Sequence, residues 1–412
     1  MSSDPTNAFV WVWLPGANNP VVAGRLDERG ESLLFTYGRS YLERPDAISL
    51  YLPELPLRPG PIVPLAGDVA GCIADSGPDS WGQRVIQNRR ATDANGGADD
   101  PSFLTYLLES GSDRIGALDF QESPTKYVER SVEHPTLDEL AQAAELVEQG
   151  AALSPELALA LLYGSAIGGA RPKSLLTNGK RHLIAKFSSS TDTYPVVKAE
   201  FMAMELARRV GLNVAGVEIT RSLGKDVLLV ERSDRPAGGG RRARVSALTI
   251  LELDEMSARY ASYADLADVI RSRFTEPEPT LRELFARITF NILVGNNDDH
   301  ARNHSAFWNG SHLTLTLTPA YDICPQPRSG GETAQLMAIG RDGYRMSQVA
   351  GCVDRASVYL LSKTEARSII DHQISVIEAE WPAVCDDAGM SEADRAGMWH
   401  RQFLNSYATE GY

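Results

Sequence analysis

A crowd of polar and charged residues set directly behind a buried helix places the tightest bounds on this chain. Phe285, Ile288 and Ile292 recur at helical spacing and form one apolar face. Gly295 stops that helix, and the next residues read NNDDHARNHS. Charged groups massed at the end of a buried helix serve catalysis or metal binding more often than solubility. The chain then runs SAFW, Asn309-Gly310 and HLTLTL, two short strands joined by the strongest short hairpin signal. TPAYDIC follows and sets Asp322 at a strand end. The order is helix, a loop with Asp298 and Asn303 five residues apart, hairpin, Asp322.

Protein kinases use this order. They place a base Asp, an Asn five residues on that binds a metal, and a second metal-binding Asp beyond a pair of strands. Asn303 and Asp322 are oxygen ligands suited to Mg²⁺, which leaves Asp298 to align the acceptor hydroxyl. The scheme also wants a strand lysine on the ATP phosphates, fixed by an acid on the following helix. Lys186 in LIAKF and Glu200 in KAEF stand in those places. The turn YGSAIGGARPKS precedes the lysine strand, so Gly168, Gly169, Ala170, Arg171 and Lys173 are expected around the phosphates. It is not a Walker A loop, because Ala170 follows Gly169 where lysine is required, nor does it read G-x-G-x-x-G. A competing reading makes Asp298, Asp299, His300 and His304 the metal set of a phosphohydrolase, although no H-E-x-x-H pattern is present. His300 is counted with the nucleotide-contacting residues and read mainly as a hydrogen-bonding partner.

Elsewhere the patterning is local. Residues 8 to 75 alternate FVWVWL, VVAGRL, LLFTY and AISLYL with Gly, Pro and Asn, the pattern of strands and tight turns. Thr92 to Pro101 reads as a loop. Thr136 and Glu139 form a capping box, Leu140, Ala144 and Val147 follow at helical spacing, Gly150 stops the helix, and Ser154-Pro155 begins another. HLIAKF is a strand, and Val197, Phe201, Met204, Ala207 and Val210 share a helix face ending at Gly211. VEITRSLGKDVLLVER predicts a hairpin, and SDRPAGGGRR a flexible linker with Arg241, Arg242 and Arg244 in solvent. From Thr249 onward the chain is mostly helical. The expected class is α+β, with a β-rich segment over 1–128, a mixed lobe over 129–240 and an α-rich lobe over 241–412.

Charge and cysteine usage exclude some functions. Lys and Arg number 40 against 54 Asp and Glu in 412 residues, a net charge of -14 that opposes direct binding to a polyphosphate backbone. Any action at DNA is therefore expected to go through a partner. Cys72, Cys324, Cys352 and Cys385 lack C-x-x-C spacing and read as reduced structural thiols. MSSDPTNAF is too polar for a signal peptide and no 18-residue apolar run occurs, so a cytoplasmic protein without a membrane segment is expected.

GGARPKSLL, LIAKF, EFMAMELARRVGL, LLVERSD, GNNDDHARNHS and LTPAYDIC together resemble the HipA family, in that family's order. AGRL, Tyr37, Tyr41, ISLYLPELPL, PDSWG and RIGAL extend the resemblance toward the N-terminus. The resemblance implies a protein-kinase-like two-lobe fold with an added N-terminal subdomain. It also implies ATP- and Mg²⁺-dependent Ser/Thr phosphorylation of a translation-related protein such as an aminoacyl-tRNA synthetase. By position, Asp298 matches the catalytic aspartate, Asn303 and Asp322 the magnesium ligands, Lys186 the ATP lysine, and Glu231 and Arg232 the adenine-binding hinge. Ser233 stands where the family pattern leads to an aromatic, and Ala166, beside Ser165, where members often carry an autophosphorylated serine. The implied partner is a small helix-turn-helix antitoxin of HipB type, which would supply the DNA contact.

Overall fold

The computed structural model describes residues 5–92, 100–131, 135–164, 171–327 and 331–412. The chain divides into two compact units. The first comprises Met1–Ser190, Thr220–Val245 and Phe307–Leu313; the second comprises Thr191–Ile219, Ser246–Ala306 and Thr314–Tyr412.

In the first unit, β1 (Asn7–Val12), β2 (Val21–Arg29), β3 (Ser32–Tyr37), β4 (Pro61–Ile62) and β5 (Leu118–Gln121) form an antiparallel sheet. Their order is β4-β3-β2-β1-β5. Strict alternation along β3 buries Leu33, Phe35 and Tyr37 on one face. The segment AISLYL does not become a strand. Its backbone is satisfied by phenols instead: the Tyr41 hydroxyl donates to Ile48 O (2.8 Å), and the Leu50 N–H donates to the Tyr37 hydroxyl (3.0 Å). Trp308 Nε1 donates to Ser49 O at 2.9 Å. Buried side chains thus replace a ladder that the apolar pattern alone would have suggested.

A second sheet contains β6 (Lys173–Asn178), β7 (Arg181–Phe187), β8 (Val217–Ser222) and β9 (Lys225–Glu231) in the order β6-β7-β9-β8. Leu223 and Gly224, both at positive φ (48° and 80°), close the β8–β9 hairpin, the conformation a two-residue turn of this hand requires. Three helices, Ser80–Thr92, Leu137–Glu148 and Pro155–Gly164, share a core with this sheet: Trp81, Leu140, Ala144 and Leu161 pack with Leu183, Ala185 and Phe187. Each fully buried Leu or Phe there contributes roughly 1.5–3 kcal/mol. The Thr136–Glu139 capping box is formed, and Gly150 follows its helix at φ 68°.

The stretch SDRPAGGGRR is not a free linker. The Asp234 carboxylate pairs with Arg232 (2.8 Å) and Arg235 (2.7 Å) and accepts the Gly116 N–H (2.8 Å). Asp113 pairs with Arg235 at 2.6 Å. Burial would raise the Asp113 carboxyl, but Arg232, Arg235 and Arg241 outweigh it and hold it at about 2. Arg241 lies over the Trp13 ring at 3.5 Å and is held there, whereas Arg242 lies over Phe307 at 3.3 Å and stays exposed to solvent. Asp113, at a distance in sequence, is what converts a glycine-rich stretch into a fixed one.

The second unit is mainly helical. Pro277–Leu293 runs through its core, burying Leu281, Leu284, Phe285, Ile288 and Ile292, and packs on Tyr263–Arg273 and Lys363–Asp387. Lys363–Asp387 in turn packs on Val196–Arg209, whose buried face includes Val197, Phe201, Met204 and Ala207. The chain also forms three short strands, β10 (Arg244–Ser246), β11 (Ser305–Asn309) and β12 (Thr314–Leu317), and Phe307–Leu313, with the turn after β11, is counted in the first unit. The hairpin expected at Asn309-Gly310 is present with a longer turn. Asn309 Oδ1 accepts the Ser311 and His312 N–H groups (both 3.2 Å), and the positive φ falls on Leu313. Gly310 is needed for space rather than for φ: a Cβ there would stand 2.8 Å from the Ile48 side chain.

Candidate active site

The polar loop begins at a residue that only glycine fits. Gly295 has φ 74°, and a Cβ on it would lie 2.6 Å from Gln402 O. Beyond it, the loop is anchored from beneath by Asp299, which is 2% exposed. This carboxylate accepts hydrogen bonds from Asn291 Nδ2 (2.7 Å), from His304 Nε2 (2.9 Å) and from the Tyr263 hydroxyl. Asn291 is held in turn, since Asn296 Nδ2 donates to its Oδ1 at 3.1 Å. The Tyr263 ring stands edge-on to His304 at 5.6 Å. Burial alone would raise the Asp299 carboxyl; the charge and hydrogen bond of His304, with the Tyr263 hydroxyl, bring it below the usual carboxylate range.

With its neighbour pinned inward, Asp298 is turned out to solvent. Asn303 closes the short turn Ala301–Asn303; its N–H donates to His300 O (2.8 Å) and its Nδ2 to Asp298 O (3.4 Å). Partial burial raises the Asp298 carboxyl, His300 opposes that, and the charges of Asp322 and Asp299 add to it. Asp298, His300 and Asp322 therefore share one electrostatic neighbourhood, in which the crowded carboxylates favour a cation.

Asp322 is fixed by the segment before it. The Ala320 N–H donates to Asn213 O (2.8 Å), the Ala215 N–H donates to Ala320 O (2.9 Å), and the Tyr321 hydroxyl donates to Arg302 O (2.7 Å). Buried Arg287 ties the same region together, donating to Asn213 O (2.9 Å) and Thr318 O (3.0 Å). Asp322 itself has φ 61°. A non-glycine residue held there costs on the order of 1–3 kcal/mol and persists where the surroundings enforce it, commonly at functional sites.

Lys186 and Lys173 lie in the first unit, on β7 and β6, as directly opposed partners. Lys173 is 4% exposed and pairs with Asp79 at 3.5 Å. Arg171 is half-buried just before β6. Glu231 ends β9 with its side chain exposed. The Arg232 N–H donates to His182 O within the unit (3.0 Å), and its guanidinium is paired with Asp234 and Asp113. Glu200 is buried in Val196–Arg209. Gly168, Gly169 and Ala170, with Ser165 and Ala166, lie outside the described residues.

Among the described residues no three or more His, Cys, Asp or Glu side chains are grouped to hold a metal. Asp299 and His304 are paired with each other through His304 Nε2. Asn303 and Asp322 remain as hard oxygen donors; a cation held by so few protein ligands takes phosphate and water for the rest, the habit of Mg²⁺. The anchoring role of Asp299 was not read from the sequence. Its signal there was Asn291, an amide between the apolar Phe290 and Ile292 near the end of that helix.

The HipA N-terminal domain matches residues 12–121 and the HipA-like C-terminal domain residues 165–381. The serine/threonine-protein kinase toxin HipA of Shewanella oneidensis is 28% identical over 184 residues, 38% of this chain and 42% of that protein. A putative kinase of Sinorhizobium fredii, Y4mE, is 30% identical over 152 residues, 34% of this chain and 33% of that protein. The matched regions thus span less than half the length of these curated relatives. Among solved structures, Shewanella oneidensis HipA, in a complex with HipB and operator DNA, superposes with a TM-score of 0.69 at 19% identity, covering 94% of this chain and 97% of that one. That likeness establishes the α+β fold. No helix among the described residues is long and apolar enough to cross a membrane. Because the C-terminal domain match alone takes in more than half of the sequence, this chain belongs to the HipA-like family.

Proposed function

We propose that this chain is an ATP-dependent serine/threonine protein kinase of HipA type. The observation that carries the reading is Asp298, turned outward and five residues before Asn303 on a loop pinned by buried Asp299, with Asp322 held at positive φ after the hairpin. In this reading Asp298 aligns the acceptor hydroxyl and takes its proton as the γ-phosphate is transferred in line. Lys186 and Lys173 hold the ATP phosphates, and Asn303 and Asp322 are the ligands for Mg²⁺. Bound Mg²⁺ would supply the charge that offsets the transferring phosphoryl group. Partial burial raises the Asp298 carboxyl, and His300 acts against that rise in favour of the ionised form. The names of the relatives support this reading, one being a serine/threonine-protein kinase toxin and one a putative kinase.

The acceptor is proposed to be a protein of translation, such as an aminoacyl-tRNA synthetase. A HipB-type antitoxin is the proposed partner, in line with the HipA–HipB–operator complex named for the structural neighbour. At a net charge of -14, contact with DNA would come through that partner. The test is transfer of label from radiolabelled ATP in lysate, wild type beside Asp298→Ala, with binding of Mg-ATP measured for both. Wild type should label a discrete protein and the variant should lose about 10²–10⁴-fold in rate while still binding nucleotide. Absence of transfer by both, with binding intact, would favour a corepressor with a kinase fold; absence of binding would overturn the site.

A further inference from the structure

Lys173 and Lys186 are cross-strand partners, so their side chains leave the same face of the β6–β7 pair. Two like charges directly opposed are unfavourable, and one of these is almost wholly buried, since Lys173 is 4% exposed. A buried ammonium needs a counter-charge whether or not a ligand is present. Asp79 supplies it, with Oδ2 at 3.5 Å from Lys173 Nζ.

Asp79 is not a mobile counter-ion. Its Oδ1 accepts the Gly82 N–H (3.1 Å) and its carbonyl accepts the Gln83 N–H (2.7 Å), so it caps the Ser80–Thr92 helix. The next turn locks the same helix to the lysine strand, because Trp81 Nε1 donates to Lys173 O at 2.9 Å. Asp79 Oδ2 makes no hydrogen bond and is buried, so this oxygen faces Lys173 without a second attachment. Burial pushes the Asp79 carboxyl up to about 6 against the pull of Lys173, as expected of a charge kept in place by geometry rather than by solvation.

We propose that Asp79 is a positioning residue for the nucleotide: a carboxylate fixed at a helix start that holds the buried Lys173 ammonium, opposite Lys186, where a triphosphate is gripped. The proposal rests on the reading of Lys173 and Lys186 as phosphate-binding. Without the carboxylate, Lys173 would lose the charge that Asp79 fixes 3.5 Å from its ammonium, and its position opposite Lys186 would be less tightly set.

The test compares Mg-ATP binding and label transfer by the full chain as wild type, Asp79→Asn, Lys173→Met, Lys186→Met and the Asp79→Asn/Lys173→Met double variant. Asparagine caps a helix as well as aspartate does, and Asp79→Ser, also a good cap, repeats the measurement with a different side chain. In Asp79→Asn the Kd and the KM for ATP should rise about tenfold with kcat within about threefold, the mark of lost ground-state binding. Lys173→Met should weaken binding at least as much, and the double variant should be no weaker than Lys173→Met, because the two side chains act as one unit. Unchanged or tighter binding by Asp79→Asn while Lys173→Met binds weakly would overturn the proposal and leave the phosphate site standing. If wild type binds no Mg-ATP, or if Lys173→Met and Lys186→Met both bind as wild type does, the phosphate site itself is wrong and the proposal falls with it.

Discussion

Replacing Asp299 by Ala should unfold the second unit far more readily than replacing its neighbour Asp298. The carboxylate is 2% exposed and receives three donors, Tyr263 O–H, Asn291 Nδ2 and His304 Nε2. Alanine leaves all three buried without an acceptor. A buried donor without a partner costs about 1–3 kcal/mol, and allowing some re-pairing among the three gives a loss of about 4 kcal/mol. That is a large part of the ~5–15 kcal/mol by which a domain is stable. Urea unfolding followed by tryptophan fluorescence measures it, with Asp298→Ala as a control expected to shift stability by less than ~0.5 kcal/mol. The pH dependence has a definite sign. Asp299 is held below its ordinary range, so its contribution is complete above the unfolded aspartate value of ~4 and fades as pH falls through the lower folded value. The gap between wild type and Asp299→Ala should therefore be widest near neutrality and narrow in acid. A loss under ~1 kcal/mol at neutral pH, or a gap that widens in acid, would refute the anchoring argument.

Gly295→Ala should destabilise by at least ~2 kcal/mol in the same urea titration, because it adds a positive-φ penalty to a Cβ placed 2.6 Å from Gln402 O. Tyr41→Phe should cost about 1–3 kcal/mol, since the Ile48 carbonyl loses a buried hydroxyl donor at 2.8 Å; a neutral result would show that this segment finds another partner. Cys72, Cys352 and Cys385 are buried, and burial raises all three thiols, Cys352 to about 12 and Cys385 to about 11. Half-buried Cys324 should then be the one thiol that Ellman's reagent titrates quickly in the native protein, with all four reacting after denaturation.

What the sequence determined by itself was set by short-range physics. The Thr136–Glu139 capping box, the apolar face of Pro277–Leu293 and the β8–β9 hairpin each depend on residues a few positions apart, and each formed where its pattern stands. The order of helix, loop, hairpin and Asp322, with the family resemblance, reached the α+β fold and the HipA-like family. Tertiary structure decided what depended on distant partners. AISLYL has the apolar content of a strand, yet phenols and an indole from other segments claim its backbone. SDRPAGGGRR has the composition of a linker, yet Asp234 accepts the Gly116 N–H 118 residues away and Asp113 binds its arginines. The five-residue spacing to Asn303 selects Asp298 and leaves Asp299 with no role in the kinase order, and only Tyr263, Asn291 and His304 converging on it made it the anchor. A polar side chain is costly to bury until its partners surround it, and composition and spacing do not say which partners will arrive.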